Sequence, residues 1–264
     1  MIHYPNIDPV IFQVGPLQVR WYGLMYVLGF SATLLLVNYQ IKKSALKEIG
    51  AHFENLNLVL IVSLILGGRL GYVFFYNLPY YSRHPLEILA TWQGGMSFHG
   101  GMLGLILGAL IFCRRKKLDF WQVIDLYTVT VPIGLGLGRI GNFINGELYG
   151  RVTDVPWGMV FPGGGPFPRH PSQLYEALLE GALLFFILWI LKEKRRPPSS
   201  WPSGSMGALF LLLYGAFRII VEFFREPDAH IGFLFGSVTM GQLLSSFMIA
   251  AGIVLFVVRK RQTA

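Results

Sequence analysis

Ionisable side chains are costly inside apolar stretches, and this 264-residue chain keeps several there. Tyr214, Arg218, Glu222 and Arg225 fall at i, i+4, i+8 and i+11, so on one helix they share an arc of roughly 80°. Glu176 and Glu180 repeat the i, i+4 spacing, and these two acids could answer Arg218 or Arg139 from a neighbouring helix. Arg139 lies in "GRIGNFINGELYGR", residues 138–151, which packs four glycines, two asparagines, a glutamate and two arginines into fourteen positions. His99 stands between Phe98 and Gly100, where a substrate could approach closely, and Arg69 is followed by Tyr72 and Tyr76. A guanidinium offers a planar fork of donors that matches phosphate or carboxylate, while imidazole and carboxylate can take a proton. These residue types suit binding an anion and moving a proton beside it. Plainer readings stand beside that one: Arg218 and Glu222 as an i, i+4 ion pair, Glu180 as a counter-ion to Arg218 or Arg139, and His99 as a structural histidine.

A nucleophile is harder to find. The single cysteine, Cys113, lies beside Arg114 to Lys117, at the opposite end of its apolar run from His99. There is no G-x-S-x-G elbow, H-E-x-x-H helix, Walker loop or Cys/His metal spacing, so neither a metal nor a cofactor is expected. Gly136 to Gly141 spells G-x-G-x-x-G, but no strand precedes it and no βαβ unit surrounds it, which removes the dinucleotide reading. If the chain is an enzyme, direct transfer between two bound substrates is favoured over a covalent intermediate.

The elements that must position these residues are helices in lipid. With 53% hydrophobic and 14% charged residues, and a mean hydropathy of +0.53, the sequence predicts an all-α polytopic membrane protein. Seven stretches approach the roughly 20 apolar residues that a span requires: 18–39, 56–76, 96–113, 120–140, 173–191, 205–224 and 237–258. Basic clusters follow the first, third, fifth and seventh, at Lys42 to Lys47, Arg114 to Lys117, Lys192 to Arg196 and Arg259 to Arg261. The excess of Lys and Arg in cytoplasmic loops then places the N-terminus outside and the C-terminus in the cytoplasm. The clusters contain every lysine, and the remaining eight basic residues are all arginine, on the outer side. An arginine-only side suggests recognition of an anion there; for Arg20, Arg83 and Arg151, snorkelling to lipid headgroups is the simpler reading. The formal charge of +8 therefore reads as topology, and no nucleic-acid partner is expected. Met1 to Pro16 lacks the features of a removable signal peptide.

Glycine seams at Gly67 to Gly71, Gly100 to Gly104 and Gly134 to Gly138 each carry a G-x-x-x-G spacing, which predicts close helix packing. The connection at 142–172, rich in proline and glycine, is expected to form a small external cap on a single transmembrane domain spanning 1–264. Tyr and Trp in the 77–95 connection fit an interfacial belt.

The motifs "WYGLMY" at 21–26, "HGG" at 99–101, "GRIGNFINGELYGR" at 138–151, "RHPSQLYEALLEG" at 169–181 and "YGAFRIIVEFFREPD" at 214–228 resemble those of bacterial phosphatidylglycerol:prolipoprotein diacylglyceryl transferases. The resemblance runs from "YPNIDPVIF" to "SVTMGQ". It implies seven spans, a periplasm-facing site in the bacterial inner membrane, and transfer of diacylglyceryl from phosphatidylglycerol to the lipobox cysteine thiol of a preprolipoprotein, releasing glycerol phosphate. The protein substrate then supplies the missing thiol. The family's essential positions fall on Tyr22, His99, Arg139, Asn142, Glu147, Gly150, Tyr214, Arg218 and Glu222. In that chemistry Arg139 and Arg218 would stabilise the phosphate, and His99 would be the first choice of base, with Glu147 or Glu222 behind it. Asn142 and Tyr214 would orient the headgroup or leaving group, and Gly150 would allow close backbone approach. A transporter or flippase for an anionic lipid would use the same arginines but needs polar groups in the inner half of the spans, where the sequence has few. A lipid-binding scaffold would not need His99 together with two intramembrane arginines.

Overall fold

The computed structural model describes residues 2–195, 201–227, 232–234 and 236–262. Arg196 of the third basic cluster and Asp228 at the end of the 214–228 motif lie outside the described residues. Seven helical spans are long and apolar enough to cross a membrane, and they are the seven stretches the hydropathy marks, with ends shifted by a few residues. The helices that make up these spans are α1 Trp21–Lys43, α2 Phe53–Tyr76, α3 Phe98–Lys116, α4 Phe120–Thr128, α5 Val131–Ile144, α6 Ser172–Glu176, α7 Leu184–Leu191, α8 Ser205–Glu222 and α9 Met240–Arg261. Helices α4 and α5 form one span, broken before Pro132, which cannot donate to the preceding turn and therefore starts a new helix. Helices α6 and α7 form another, joined by a π-helical segment, Ala177–Leu183. The strands are short: β1 Ile2–His3, β2 Val10–Val14, β3 Leu17–Arg20, β4 Met159–Val160, β5 Phe233–Leu234 and β6 Val238–Thr239. Strands β2 and β3 make a hairpin that runs straight into α1, and β1 pairs in parallel with β4.

Contacts divide the chain into two compact units, residues 38–123 and residues 1–37 with 124–264. In the first, α2 and α3 meet along the glycine seams. A Cβ on Gly67 would lie 2.5 Å from the Gly100 carbonyl oxygen and 2.7 Å from Gly104 Cα, so only glycine permits this approach. Arg69 departs from the anion-binding expectation. It is 2% exposed and donates from Nε to the Ile88 carbonyl (2.7 Å), from Nη1 to those of Gly94 (2.6 Å) and Gly95 (3.2 Å), and from Nη2 to that of Glu87 (2.7 Å). The Tyr81 ring centroid lies 5.0 Å from this guanidinium. Its donors tie down the 85–95 segment, because carbonyls held in an apolar setting need partners and one planar fork reaches four of them. Cys113 is fully buried in the same unit.

In the second unit, small residues again set the spacing. A Cβ on Gly181 would sit 2.6 Å from Gly136 Cα, and one on Gly215 would sit 2.8 Å from the Ser245 carbonyl oxygen. Asp125, buried in α4, accepts the backbone N–H of Gly204 (2.7 Å), Met206 (3.0 Å) and Gly207 (3.0 Å). The carboxylate satisfies orphan donors at the start of α8 and lies at its positive end, which fixes where that helix begins. The 142–172 connection is folded. Phe143, Met159 and Phe161 pack with Tyr4, Tyr149 and Leu174, and the Tyr4 hydroxyl donates to the terminal α5 carbonyls of Phe143 (2.6 Å) and Ile144 (3.0 Å). Arg151 does not snorkel: Nε donates to the Arg225 carbonyl (2.9 Å) and Nη2 to that of Glu222 (3.1 Å), stapling this connection to the end of α8.

Candidate active site

The Gly136 to Gly181 approach brings the end of α5 against the α6 and π-helical turns, so Arg139, one turn beyond Gly136, meets Glu176. Arg139 Nε lies 2.5 Å from Glu176 Oε2. Arg218 Nη1 reaches the same oxygen from α8 at 3.1 Å, so one fully buried carboxylate joins guanidiniums from two helices. Arg218 is 8% exposed and nearly surrounded by acids: Glu180 Oε1 lies 3.6 Å from Nη1, and Glu222 Oε1 lies 2.6 Å from Nη2. The i, i+4 pair expected of Arg218 and Glu222 is therefore formed, but inside a network of three arginines and three glutamates completed by Arg225, whose Nη1 lies 3.5 Å from Glu222 Oε1. Equal numbers of opposite charges let so many ionisable groups share a site away from water, although the arrangement is costly to break.

Glu222 is held on both oxygens. Oε2 accepts from the Thr239 hydroxyl at 2.6 Å, and Thr239 also caps α9 through a reciprocal pairing with Gln242. The carboxylate thus rests on the positive end of α9, in room left by the missing Cβ of Gly241. Glu180 differs: it is 1% exposed and neither oxygen has a hydrogen-bond partner among the described residues. The Tyr214 ring stacks on Phe210 (5.5 Å between centroids), and its hydroxyl is within electrostatic range of Glu180, Arg218 and Arg139.

Arg139 has a different outlook from Arg218. Its side chain is 23% exposed, and among the described residues its two Nη groups have no partner. Gly138 beside it faces open space, whereas Gly141 is filled by the Tyr22 ring, 2.8 Å from where a Cβ would stand. The Gly134 to Gly138 spacing therefore does not give the close packing it predicts at Gly138, and Gly141 seats an aromatic ring. The Tyr22 hydroxyl pairs with that of Tyr26 at 3.2 Å and lies within electrostatic range of Glu147 and Arg139. Asn142, buried one turn beyond Arg139, donates from Nδ2 to Glu147 Oε1 at 2.8 Å. Gly150 admits the Phe224 and His170 backbones: a Cβ would lie 2.7 Å from His170 Cβ and 2.8 Å from the His170 carbonyl oxygen. His99 is exposed at the first turn of α3, which Ser97 caps by accepting the Gly100 N–H at 3.2 Å, and it belongs to the other unit.

Arg139, Asn142, Glu147, Tyr22, Tyr214, Arg218 and Glu222 are thus gathered in one unit. Sequence reasoning left Glu176 as one of two acids able to answer either arginine, and it passed over Asp125. Glu176 carried a signal, its spacing to Glu180; the hold of Asp125 on the start of α8 carried none, because it is made to backbone N–H groups. Among the described residues no cluster of His, Cys, Asp and Glu suits a metal ion.

The family profile described as prolipoprotein diacylglyceryl transferase matches residues 9–258. The chain is 60% identical over 265 residues to the phosphatidylglycerol–prolipoprotein diacylglyceryl transferase of Desulfotalea psychrophila, covering 98% of this chain and 97% of the relative. It is 52% identical to the protein of that name from Geobacter sulfurreducens (99% and 98% covered) and 50% identical to that from Bordetella avium (100% and 99%). With a profile match along nearly its whole length and relatives at this identity, the chain belongs to the prolipoprotein diacylglyceryl transferase family.

Proposed function

We propose that this chain transfers the diacylglyceryl group of phosphatidylglycerol to the lipobox cysteine thiol of a preprolipoprotein, the first step of bacterial lipoprotein maturation. Beyond family membership, one observation carries the reading: Arg139 is held through Nε by a buried carboxylate while its side chain stays 23% exposed and its Nη groups have no partner among the described residues. The thiolate sulfur attacks the glyceryl carbon, the carbon–oxygen bond to phosphate breaks, and the electron pair stays on the phosphate oxygen. The thiol proton passes through a base and ends on the glycerol phosphate released. Charge grows on the phosphate as the bond breaks, and a fixed guanidinium fork in a poorly hydrated site stabilises it.

Arg139 takes the phosphate directly. Arg218, with carboxylates on both Nη groups, acts by holding Glu176 and so the aim of Arg139. Tyr22 and Tyr214 orient the headgroup, Asn142 fixes Glu147, and Gly150 lets the 142–172 connection close on the end of α8. Free cysteine has a pKa near 8.5, so a base helps at neutral pH. His99 is the first choice and Glu147 the second; the two engaged oxygens of Glu222 argue against that residue. The chain acts as one inner-membrane domain, with its N-terminus and the 142–172 cap in the periplasm and its C-terminus in the cytoplasm, a reading supported by basic clusters after every second span.

The test is purified protein with phosphatidylglycerol vesicles and a lipobox peptide, followed by mass spectrometry. The expected product is a thioether-linked peptide heavier by one diacylglyceryl group; no mass gain with the unaltered protein overturns the reading.

A further inference from the structure

Glu147 is an unusual neighbour for an anion-binding arginine. It is an exposed carboxylate, yet nearly everything about it is fixed. Oε1 accepts from Asn142 Nδ2 (2.8 Å) and Asn145 Nδ2 (3.0 Å). Its N–H donates to the Asn142 carbonyl at 3.1 Å, and its own carbonyl accepts from Gln173 Nε2 at 2.7 Å. It is flanked by Gly146 at φ +67° and Leu148 at φ +58°; the second is a left-handed conformation that a leucine adopts only when its surroundings impose it. Among the described residues Oε2 has no partner. Asn142, which holds Oε1, stands one helical turn beyond Arg139, and the Tyr22 ring fills the place of the missing Gly141 Cβ between them, so Glu147 and Arg139 are anchored at the same helix end.

A carboxylate beside a bound phosphate repels it unless a donor stands between them. An alcohol esterified to that phosphate and carrying further hydroxyls supplies such donors. We propose that Glu147 Oε2 accepts a hydrogen bond from a headgroup hydroxyl, so that Glu147 selects a polyol headgroup over one of the same size without hydroxyls. The inference rests on the transferase reading and divides the ligand within it: Arg139 takes the phosphate and Glu147 the glycerol esterified to it. The two amide bonds to Oε1 hold the carboxylate plane before the lipid arrives, so little rotamer freedom is lost on binding.

The experiment compares phosphatidylglycerol with phosphatidyl-1-propanol, which keeps three headgroup carbons and lacks both hydroxyls, and with phosphatidylethanolamine, in the unaltered protein and in Glu147→Gln. The unaltered protein is expected to favour phosphatidylglycerol over phosphatidyl-1-propanol by about tenfold or more in kcat/KM, since a site built around a hydroxyl rejects the analogue lacking it. Glu147→Gln should lower kcat/KM for phosphatidylglycerol by about tenfold, mainly through KM, and leave phosphatidyl-1-propanol within about twofold. Asn145→Ala, which removes one of the two amide bonds and leaves the carboxylate, should erode the preference by about threefold and serves if the glutamine variant does not fold. Equal losses for both lipids in either variant overturn the proposal, as that is the mark of a structural or proton-transfer role. Equal use of phosphatidylethanolamine by the unaltered protein also overturns it, because the carboxylate would then be reading an ammonium group. No transfer from phosphatidylglycerol at all instead overturns the transferase reading.

Discussion

Arg69 and Arg139 are both arginines in apolar helices followed by tyrosines or glycines, and their surroundings turn them to opposite ends. Arg69, in the 38–123 unit, gives its donors to four backbone carbonyls and is 2% exposed. Arg139, in the other unit, gives one donor to Glu176, and its Nη groups have no partner among the described residues. Neutral acceptors on every side make a guanidinium a staple for a loop. A single charged partner on Nε leaves the other donors of the fork uncommitted among the described residues. Arg218 lies between the two, charge-paired like Arg139 but enclosed like Arg69.

This contrast can be broken most forcefully at the staple. Arg69→Met should strip four carbonyls of their shared donor and lower stability by about 3 kcal/mol, read as a drop in the urea midpoint in detergent. A melt unchanged from the unaltered protein would remove the distinction. Arg139→Lys should act on rate instead: kcat/KM for transfer falls about 100-fold because the fork is lost, while the melting temperature stays put. If lysine restores most of the activity, the fork is not the operative feature. Asp125→Asn tests how far the network depends on the axial placement of α8; losing the charge at that helix start should cost about 1 kcal/mol of stability.

The smallest expected effect is one of pH. Burial lowers the His170 pKa below its ordinary value, against a smaller opposing pull from Asp154. The native protein then binds this proton less readily than the unfolded chain, so the contribution is present above about pH 6.5 and lost as pH falls through that value. The melting temperature should accordingly be lower at pH 5 than at pH 8, with a shallower difference in His170→Gln. An identical difference in both proteins would show that other groups set the acid sensitivity.

Much of this was legible in residue order. Spans show because lipid demands about 20 apolar residues in a row, and Arg218 with Glu222 shows because i, i+4 is a local relation. The seams at Gly67 and Gly100 read as packing and are packing. Illegible parts share one cause, a partner that is distant or anonymous. Glu176 lies 37 positions beyond Arg139, and which carboxylate meets which guanidinium depends on the axial register of two helices, set by the Gly136 and Gly181 approach. Arg69, Arg151 and Asp125 bind backbone groups, which every residue carries, so no pattern of side chains announces them.

By itself, then, the sequence determined the class of the protein, its seven helical spans, the pool of arginines and acids available to a site, and through its motifs the family. These follow from local rules of hydropathy, charge and helical spacing that need no knowledge of neighbours. Only the tertiary structure decided how the pool was used among the described residues: Arg69 on a loop, Arg218 on three carboxylates, Arg139 with Nε alone engaged and Glu147 held on one oxygen. A buried charge takes its role from the groups packed around it, and those groups arrive from helices far apart in the chain.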